Sequence, residues 1–227
     1  MFISLYLDLQ RLFPDKAVLL ENMTGLLGNL AEVPHLRPKL MTKELVEEMA
    51  DLLDSDQYGM AVSYNAAGVL AHLASDGAAA WTFLEPGREE VLERLGRAVS
   101  RWDVRYRWKI NINYKSLAPI ISLARLSSTP QCQMWAVWAL ANLTSVRPEE
   151  HCSLLLQEGG LALMETILQQ NCGEVRDWAR LVRNNLRAWQ AGDHQRPAPG
   201  DSQEIQEIKR FQELLGDIIN SLRSGAQ

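Results

Sequence analysis

The sequence has 227 residues, of which 47% are hydrophobic and 22% charged, an ordinary globular composition that is ample for a continuous core. A formal charge of -5 disfavours a nucleic-acid partner, because binding to the phosphate backbone needs a net basic face. The three cysteines form no C-x-x-C pair, which disfavours a disulfide framework and a zinc knuckle. No run of about 18 apolar residues is present, which disfavours a membrane partner. We therefore expect a protein of the cytoplasm or the nucleus.

An internal repeat is the most informative feature of the sequence. Four segments align without gaps, and each ends in a polar residue followed by leucine. The polar residues are Asn29, His72, Asn142 and Asn185. They are spaced by 43, 70 and 43 residues, so the middle interval is one repeat with an insertion. A period of about 40 to 47 residues is typical of HEAT and armadillo arrays.

The repeats read as helices, because apolar residues recur at i, i+3, i+4 and i+7. Small residues in the aligned segments let neighbouring helices approach closely; they are Gly25, Gly28, Ala66, Ala67, Gly68, Ala71, Ala136, Ala139 and Ala141. A single repeat cannot bury its apolar face, so the repeats stack and leave one concave surface. We therefore predict an all-α, armadillo- or HEAT-like right-handed solenoid of about four repeats over residues 1–189, with an expanded segment at about 76–118.

The polar residue that ends each segment lies out of phase with the apolar stripe of its helix, which predicts that it faces the concave surface. Asn29, His72, Asn142 and Asn185 would then form a ladder. Asparagine carries two donors and an acceptor, so a row of such side chains can hold the main chain of an extended peptide. The alternative for any one of them is that it caps a helix or binds a loop carbonyl.

The expanded segment alternates basic and aromatic residues, namely Arg101, Trp102, Arg105, Tyr106, Arg107, Trp108 and Lys109. Such a mixture can stack on and neutralise nucleic-acid strands. We favour the simpler interpretation that the aromatic side chains anchor a long loop while the charges stay solvated.

The carboxy-terminal part is predicted to be separate from the repeats. Residues 190–203, with two prolines and a glycine at 197, 199 and 200, are typical of a linker. Residues 204–223 carry apolar residues at helical spacing and predict an amphipathic helix. We favour a role for this helix as a cap on the last repeat over pairing with a partner helix.

Enzyme signatures are absent from the sequence. We find no phosphate loop, metal-ligand spacing or nucleophile elbow. His151 and Cys152 are adjacent, but neighbours on a helix point about 100° apart and cannot form a nucleophile and base pair. We predict a binding module without catalytic residues, cofactor or metal.

Several strings resemble the carboxy-terminal armadillo domain of the Zyg-eleven and Zer-one family, most of all its Zer-one branch. They are Gly-Leu-Leu-Gly-Asn-Leu-Ala-Glu-Val at 25–33, Val-Ser-Tyr-Asn-Ala-Ala-Gly-Val-Leu-Ala-His at 62–72, Asn-Ile-Asn-Tyr at 111–114 and Trp-Ala-Val-Trp-Ala-Leu at 135–140. The likeness runs in the same order from roughly residue 12 to residue 168.

The resemblance implies a substrate receptor of Cullin-two ubiquitin ligases that recognises proteins with an exposed amino-terminal glycine. In that family an asparagine and a glutamate three residues later help to hold the first residue of the peptide, and they match Asn29 and Glu32. Residues at i and i+3 share a helix face, and a carboxylate can pair with the peptide ammonium. The alternative for Glu32 is a solvated charge at a helix end.

The remaining candidates for peptide binding are neighbours of that pair along the groove, namely Tyr64, Asn65, His72, Trp138 and Asn142. The family completes its pocket with a Trp-Asn-x-x-Asp motif upstream, and it engages elongin and Cullin-two through leucine-rich repeats and a short box. We expect those parts to lie outside this chain. The runner-up hypothesis is a generic helical scaffold that binds a partner through its groove or tail without recognising a degron.

Overall fold

A computed structural model describes residues 17–54, 58–83, 85–104, 114–170 and 172–192, and all regular structure within these ranges is helical. Ten α-helices lie in these ranges. They are α1 (Ala17–Ala31), α2 (Arg37–Leu40), α3 (Lys43–Leu53), α4 (Met60–Ser75), α5 (Arg88–Ser100), α6 (Ala118–Ala124), α7 (Pro130–Val146), α8 (Pro148–Gln157), α9 (Gly160–Gln170) and α10 (Glu174–Gln190). Single 3-10 turns at Pro34–Leu36 and Ala78–Ala80 precede α2 and α5.

The four aligned segments lie in α1, α4, α7 and α10, one in each helix. Helix α4 packs against α1 on one side and α7 on the other, while α3 and α5 lie against it from the next layer. Helix α7 in turn packs on α5, α6 and α8. Because successive repeats cover one another in this way, the predicted all-α, armadillo-like solenoid is confirmed.

The burial of its residues shows that α4 lies at the centre of the stack. Between Val62 and Ala74 every residue of α4 except Asn65 is buried, so the helix is covered on all sides rather than along one stripe. Gly59, at the N-terminal cap, has a φ of 81°, a conformation that glycine adopts without strain. This glycine lets the chain turn directly into the buried helix.

The expanded segment is partly helical, because it contains α5. After α5 the chain continues through Trp102 toward α7, and the half-buried Trp102 ring packs against Trp138. Arg101 stays exposed and pairs with Asp54 at 3.2 Å. Both observations match the interpretation of anchored aromatic side chains and solvated charges. Residues 105–113, with the other basic and aromatic residues of this segment, lie outside the described residues.

The chain divides into two units, Met1–Trp189 and Gln190–Gln227. Of the predicted linker only residues 190–192 are described, and the predicted tail helix at 204–223 lies outside the described residues. In the part of the chain that the structure describes, we find no helix long and apolar enough to cross a membrane.

Arg37 joins the ends of α1 and α4. Its Nε donates to the carbonyl of Ala31 at 2.7 Å, and its Nη1 pairs with Asp76 at 2.5 Å, with only 12% of the arginine side chain exposed. We expect Arg37→Met to lower the free energy of unfolding by about 2–3 kcal/mol, because a largely desolvated ion pair and a carbonyl partner are lost together. Urea denaturation measures this change.

The matched control is Arg180→Met. Arg180 pairs with Asp177 at 2.7 Å in the exposed first turns of α10. Exposed pairs of this kind contribute less than about 1 kcal/mol, so the control should change stability little. Equal losses in the two variants would show that Arg37 does not join the two helices.

Candidate functional site

A small pocket lies between the inner helices α1 and α4. It is lined by Gly25, Gly28, Asn29, Glu32, Tyr64, Asn65, Gly68, His72, Tyr114 and Trp135. The α1 residues follow a spacing of three, four and seven, which places them on one helix face. The volume inside is about 20 Å³, room for about one water-sized group.

Glycine at position 68 allows α7 to contribute to the pocket. A Cβ atom at Gly68 would lie 2.9 Å from Cζ2 of Trp135, closer than real Cβ atoms come to such a neighbour. The indole therefore rests directly on the α4 backbone. Its ring centroid lies 5.5 Å from that of Tyr64 and 6.1 Å from that of His72. One wall of the pocket is thus a continuous aromatic surface.

Two tyrosines meet at the pocket. The hydroxyl oxygens of Tyr64 and Tyr114 lie 3.4 Å apart. Burial, the neighbouring Tyr114 and the charge of Glu32 hold the pKa of Tyr64 well above its usual range. Burial is also the main reason that the pKa of Tyr114 is raised to about 12. Both phenols are therefore neutral near pH 7 and can donate hydrogen bonds as well as accept them.

Glu32 is the anionic side chain of the pocket. It follows the last residue of α1, and its backbone N–H continues the helical pattern to the carbonyl of Gly28 at 3.0 Å. Burial raises the pKa of Glu32 to about 7. Arg37 approaches the backbone carbonyl of Glu32 at 3.4 Å, but its charge is paired with Asp76. Among the described residues no cation pairs with the Glu32 carboxylate.

A partly desolvated carboxylate without a counter-charge favours a cationic ligand, because a nearby positive charge replaces the stabilisation by water that burial removes. His72 does not supply that charge. It is only 2% exposed, and burial, assisted by the charge of Arg37, lowers its pKa to about 3. The imidazole is therefore neutral and forms part of the wall. Among the lining residues, Glu32 alone carries a charge above pH 7.

The structure brings five of the seven predicted binding residues to this pocket, namely Asn29, Glu32, Tyr64, Asn65 and His72. Asn29 is exposed at the rim. Asn65 braces the two helices, since its Nδ2 donates to the carbonyl of Glu21 at 3.0 Å and to Oγ1 of Thr24 at 3.3 Å. Trp138 and Asn142 lie on α7 outside the pocket and are 0% and 1% exposed.

The predicted ladder is not a continuous exposed row. The amide of Asn142 donates to the carbonyl of Val104 at 2.8 Å. The amide of Asn185 donates to Oγ1 of Thr144 at 3.1 Å and to Oγ of Ser145 at 3.0 Å. The alternative that a single asparagine binds a loop carbonyl therefore describes Asn142. Of the four polar residues, only Asn29 is exposed to an incoming peptide.

The sequence patterns do not predict five of the residues that line the pocket, namely Gly25, Gly28, Gly68, Tyr114 and Trp135. Gly25, Gly28 and Gly68 were explained by helix packing alone, yet all three line the pocket. Tyr114 and Trp135 lie in the family strings Asn-Ile-Asn-Tyr and Trp-Ala-Val-Trp, which were the only signal for them. Their placement depends on contacts across about 50 and 70 residues of chain, which no local pattern encodes.

Metal-ligating side chains and the His151–Cys152 pair are a separate question from the pocket. No group of three or more His, Cys, Asp or Glu side chains there is placed to hold a metal ion. Cys152 is buried in α8, and burial together with the charge of Glu149 raises its pKa to about 12. Its thiol stays protonated near pH 7, so it is a poor nucleophile.

The comparison with known families agrees with the strings identified in the sequence. The family described as "Protein zer-1 homolog-like, C-terminal domain" matches residues 2–188. Protein zer-1 homolog of Drosophila melanogaster is 48% identical over 200 residues, with 75% of this chain and 25% of that protein covered. The human Protein zer-1 homolog is 46% identical over 181 residues, covering 79% and 23%. The resemblance is thereby confirmed.

A relative with lower sequence identity carries the Zyg-eleven name. Zyg eleven-related protein 1 of Caenorhabditis elegans is 38% identical over 191 residues, with 83% of this chain and 21% of that protein covered. The chain thus spans about a quarter of the length of the curated relatives it matches. Among solved structures, a designed armadillo repeat protein is 20% identical with a TM-score of 0.31, covering 74% of this chain and 58% of that one. The fold assignment rests instead on the helix stacking described above.

Proposed function

Because this chain belongs to the zer-1 homolog-like family, we propose that its α1–α4 pocket holds the amino-terminal glycine of a protein or peptide. The observation that carries the proposal is the half-buried Glu32 carboxylate, which has no cationic partner among the described residues. A peptide ammonium supplies the missing charge and donates up to three hydrogen bonds. Hydrogen bonds between charged groups are roughly twice as strong as neutral ones.

The pocket walls support a first residue without a side chain. Gly25 and Gly28 add no Cβ atoms to the α1 side of the pocket, and the Trp135 indole, resting on Gly68, forms another wall. A volume of about 20 Å³ is comparable with one small group such as an ammonium or a methylene. A larger first residue would have to displace a wall of the pocket. We expect each extra methyl or methylene group to cost about 1–3 kcal/mol of binding free energy.

The neutral polar groups around Glu32 support binding of the first peptide unit. The exposed amide of Asn29 lies on the same α1 face and offers both a donor and an acceptor. Tyr64 and Tyr114, whose hydroxyl oxygens lie 3.4 Å apart, line the same pocket. These groups complement the main-chain N–H and C=O that follow the ammonium.

We further propose that this module is the substrate-recognition part of a Cullin-two ubiquitin ligase receptor. The support is the family membership, and the proposal places the surfaces that engage elongin and Cullin-two in parts of the relatives that this chain does not span. The chain itself supplies the groove that selects the substrate.

Calorimetry with two peptides tests the glycine proposal. One peptide carries a free amino-terminal glycine, and the other is identical except for an acetyl group on that glycine. We expect binding of the free peptide and at least a 30-fold weaker affinity, about 2 kcal/mol, for the acetylated one, because acetylation removes the charge that Glu32 attracts.

A third peptide with amino-terminal valine controls for side-chain size and should also bind weakly. Equal affinity for the free and acetylated peptides would contradict recognition of the ammonium. In that case a scaffold that binds partners elsewhere along the solenoid becomes the better description.

A further inference from the structure

The segment Trp102–Val104, which we call the strap, is hydrogen-bonded to side chains of α7. We propose that the strap occupies the groove as a fixed internal ligand and thereby restricts the site to chain ends. The inference rests on the proposed function and specifies its substrate class: an internal stretch of peptide, which a continuous armadillo groove would accept, is rejected.

Two hydrogen bonds hold the main chain of the strap. The indole Nε1 of Trp138 donates to the carbonyl of Trp102 at 3.3 Å, and Nδ2 of Asn142 donates to the carbonyl of Val104 at 2.8 Å. Trp138 and Asn142 are one helical turn apart on α7, and the two carbonyls belong to alternate residues of the strap. Side chains at i and i+4 thus hold alternate carbonyls, as they would hold an extended peptide.

The side chain of Trp102 fixes the strap between two inner helices. Its ring centroid lies 5.1 Å from that of Trp138 in an edge-on arrangement and 6.3 Å from that of Tyr64 on α4. Aromatic contacts at these distances add to the stabilisation that burial provides. Trp138 is fully buried and Asn142 is 1% exposed, so an incoming peptide does not reach either side chain.

The next described part of the chain reinforces the same barrier. The ring of Tyr114 packs edge-on against His151 of α8, and its hydroxyl meets that of Tyr64 at the pocket. The backbone N–H of Leu117 donates to Oε2 of Glu158 at 2.8 Å. Two parts of the expanded segment are therefore held in place, residues 102–104 by α7, and residues 114–117 by α8 and by Glu158, which follows α8.

The consequence concerns the path of a bound peptide. Tyr114 and Trp135 line the α1–α4 pocket, and the strap accepts hydrogen bonds from the side chains of Trp138 and Asn142 on α7. A chain that continued in both directions would have to pass through these residues. A chain end needs only one exit, so it fits without displacing the strap.

The test compares a short peptide that starts with a free glycine and the same sequence placed inside a longer peptide with an acetylated amino terminus. For the full 227-residue chain we expect the terminal peptide to bind at least about 100-fold more tightly. In Trp102→Ala the ratio of the two affinities should fall by about tenfold or more, because loss of the Trp102 ring loosens the strap and lets the internal peptide compete with it for the surface of α7.

Trp81→Ala is the matched control. Trp81 is also half-buried; its ring packs at a tilt against Phe83, with centroids 5.2 Å apart, and its Nε1 donates to the carbonyl of Pro86 at 3.0 Å, outside the pocket. In Trp81→Ala the ratio of the affinities for the terminal and internal peptides should equal that of the unmodified chain. If the alanine variant does not unfold cooperatively, Trp102→Leu replaces it; the ratio of affinities should then fall by a smaller amount, because leucine lacks the ring contacts with Trp138 and Tyr64.

The outcomes separate the two proposals. If the unmodified chain binds the terminal peptide and the Trp102 variant keeps the same ratio, the strap has no role in selecting chain ends while the glycine pocket stands. If the control lowers the ratio as much as the Trp102 variant, general loosening explains the effect and the strap inference is overturned. If the unmodified chain binds neither peptide, the proposed function fails and the strap inference fails with it.

Discussion

Replacement of Glu32 by glutamine is expected to weaken binding of a peptide with a free amino-terminal glycine strongly while making the folded chain more stable above pH 7. The amide keeps the shape of the side chain but removes the charge that attracts the ammonium. Removal of one partner from a desolvated charge pair costs about 2–4 kcal/mol, which weakens binding by about 30- to 1000-fold. Calorimetry measures this loss.

The stability effect follows from the raised pKa of Glu32. Burial raises this pKa from 4.5 to about 7, so the folded chain binds more protons than the unfolded chain between these values. The free energy of unfolding contributed by this group therefore falls as pH rises through that window. The full shift corresponds to about 3 kcal/mol, which solvent screening of a half-buried group reduces to about 1–2 kcal/mol. Glu32→Gln should recover that amount at pH 8.

Glu90→Gln provides the control, because Glu90 is exposed on α5 away from the pocket. It should leave peptide affinity unchanged and shift stability by less than about 0.5 kcal/mol. If Glu32→Gln and Glu90→Gln behave alike in both measurements, Glu32 is an ordinary surface charge. Loss of binding together with loss of stability would instead assign Glu32 a structural role.

Gly28 on α1 and Gly68 on α4 both line the pocket, and their replacement by alanine is expected to change the stability of the chain in opposite directions. At Gly28 an added Cβ meets no atom within 4 Å, so Gly28→Ala should stabilise α1 by about 0.5–1 kcal/mol. The methyl group nevertheless takes up space in a pocket of about 20 Å³. We expect affinity for the glycine-terminated peptide to fall by about tenfold or more, or about 1.4 kcal/mol.

At Gly68 the added Cβ lies 2.9 Å from the Trp135 ring, so the indole must shift. Overpacking of this kind costs about 1–3 kcal/mol, and Gly68→Ala should lower both stability and affinity. Thermal denaturation and calorimetry on the two variants separate steric filling of the pocket from disruption of its wall.

Gly96→Ala controls for helix propensity. Gly96 lies inside α5, outside the pocket, and its nearest neighbour for an added Cβ is the flexible Gln131 side chain at 3.4 Å. It should gain stability as Gly28→Ala does, with no change in affinity. Unchanged affinity in Gly28→Ala would show that the peptide does not approach this face of α1.

The periodic spacing of Asn29, His72, Asn142 and Asn185 was sufficient to predict the helical repeats, because each repeat uses the same local pattern to build its inner helix. The same pattern did not predict which of these side chains would be exposed. Asn142 is covered by a carbonyl from residue 104, and that contact depends on an insertion which no other repeat contains. Local periodicity therefore encodes the stack, while the surface of the groove depends on long-range packing.

The pocket was predicted in part for a similar reason. Asn29 and Glu32 share a helix face by their spacing alone, so their proximity follows from the sequence. The aromatic wall does not, since it requires a glycine at 68 to meet an indole at 135 across two helices. The raised pKa of Glu32 likewise depends on burial by residues from several elements, which composition and spacing do not reveal.

The central claim is that the Glu32 carboxylate receives the ammonium of the peptide, and the most direct measurement is the pKa of that carboxyl group with and without ligand. Carbon-detected nuclear magnetic resonance of the labelled side chain reports it. We predict a value near 7 in the free chain and a value below 4.5 when a glycine-terminated peptide is bound, because the ammonium stabilises the charged form. A value that stays near 7 with the peptide bound would contradict the claim.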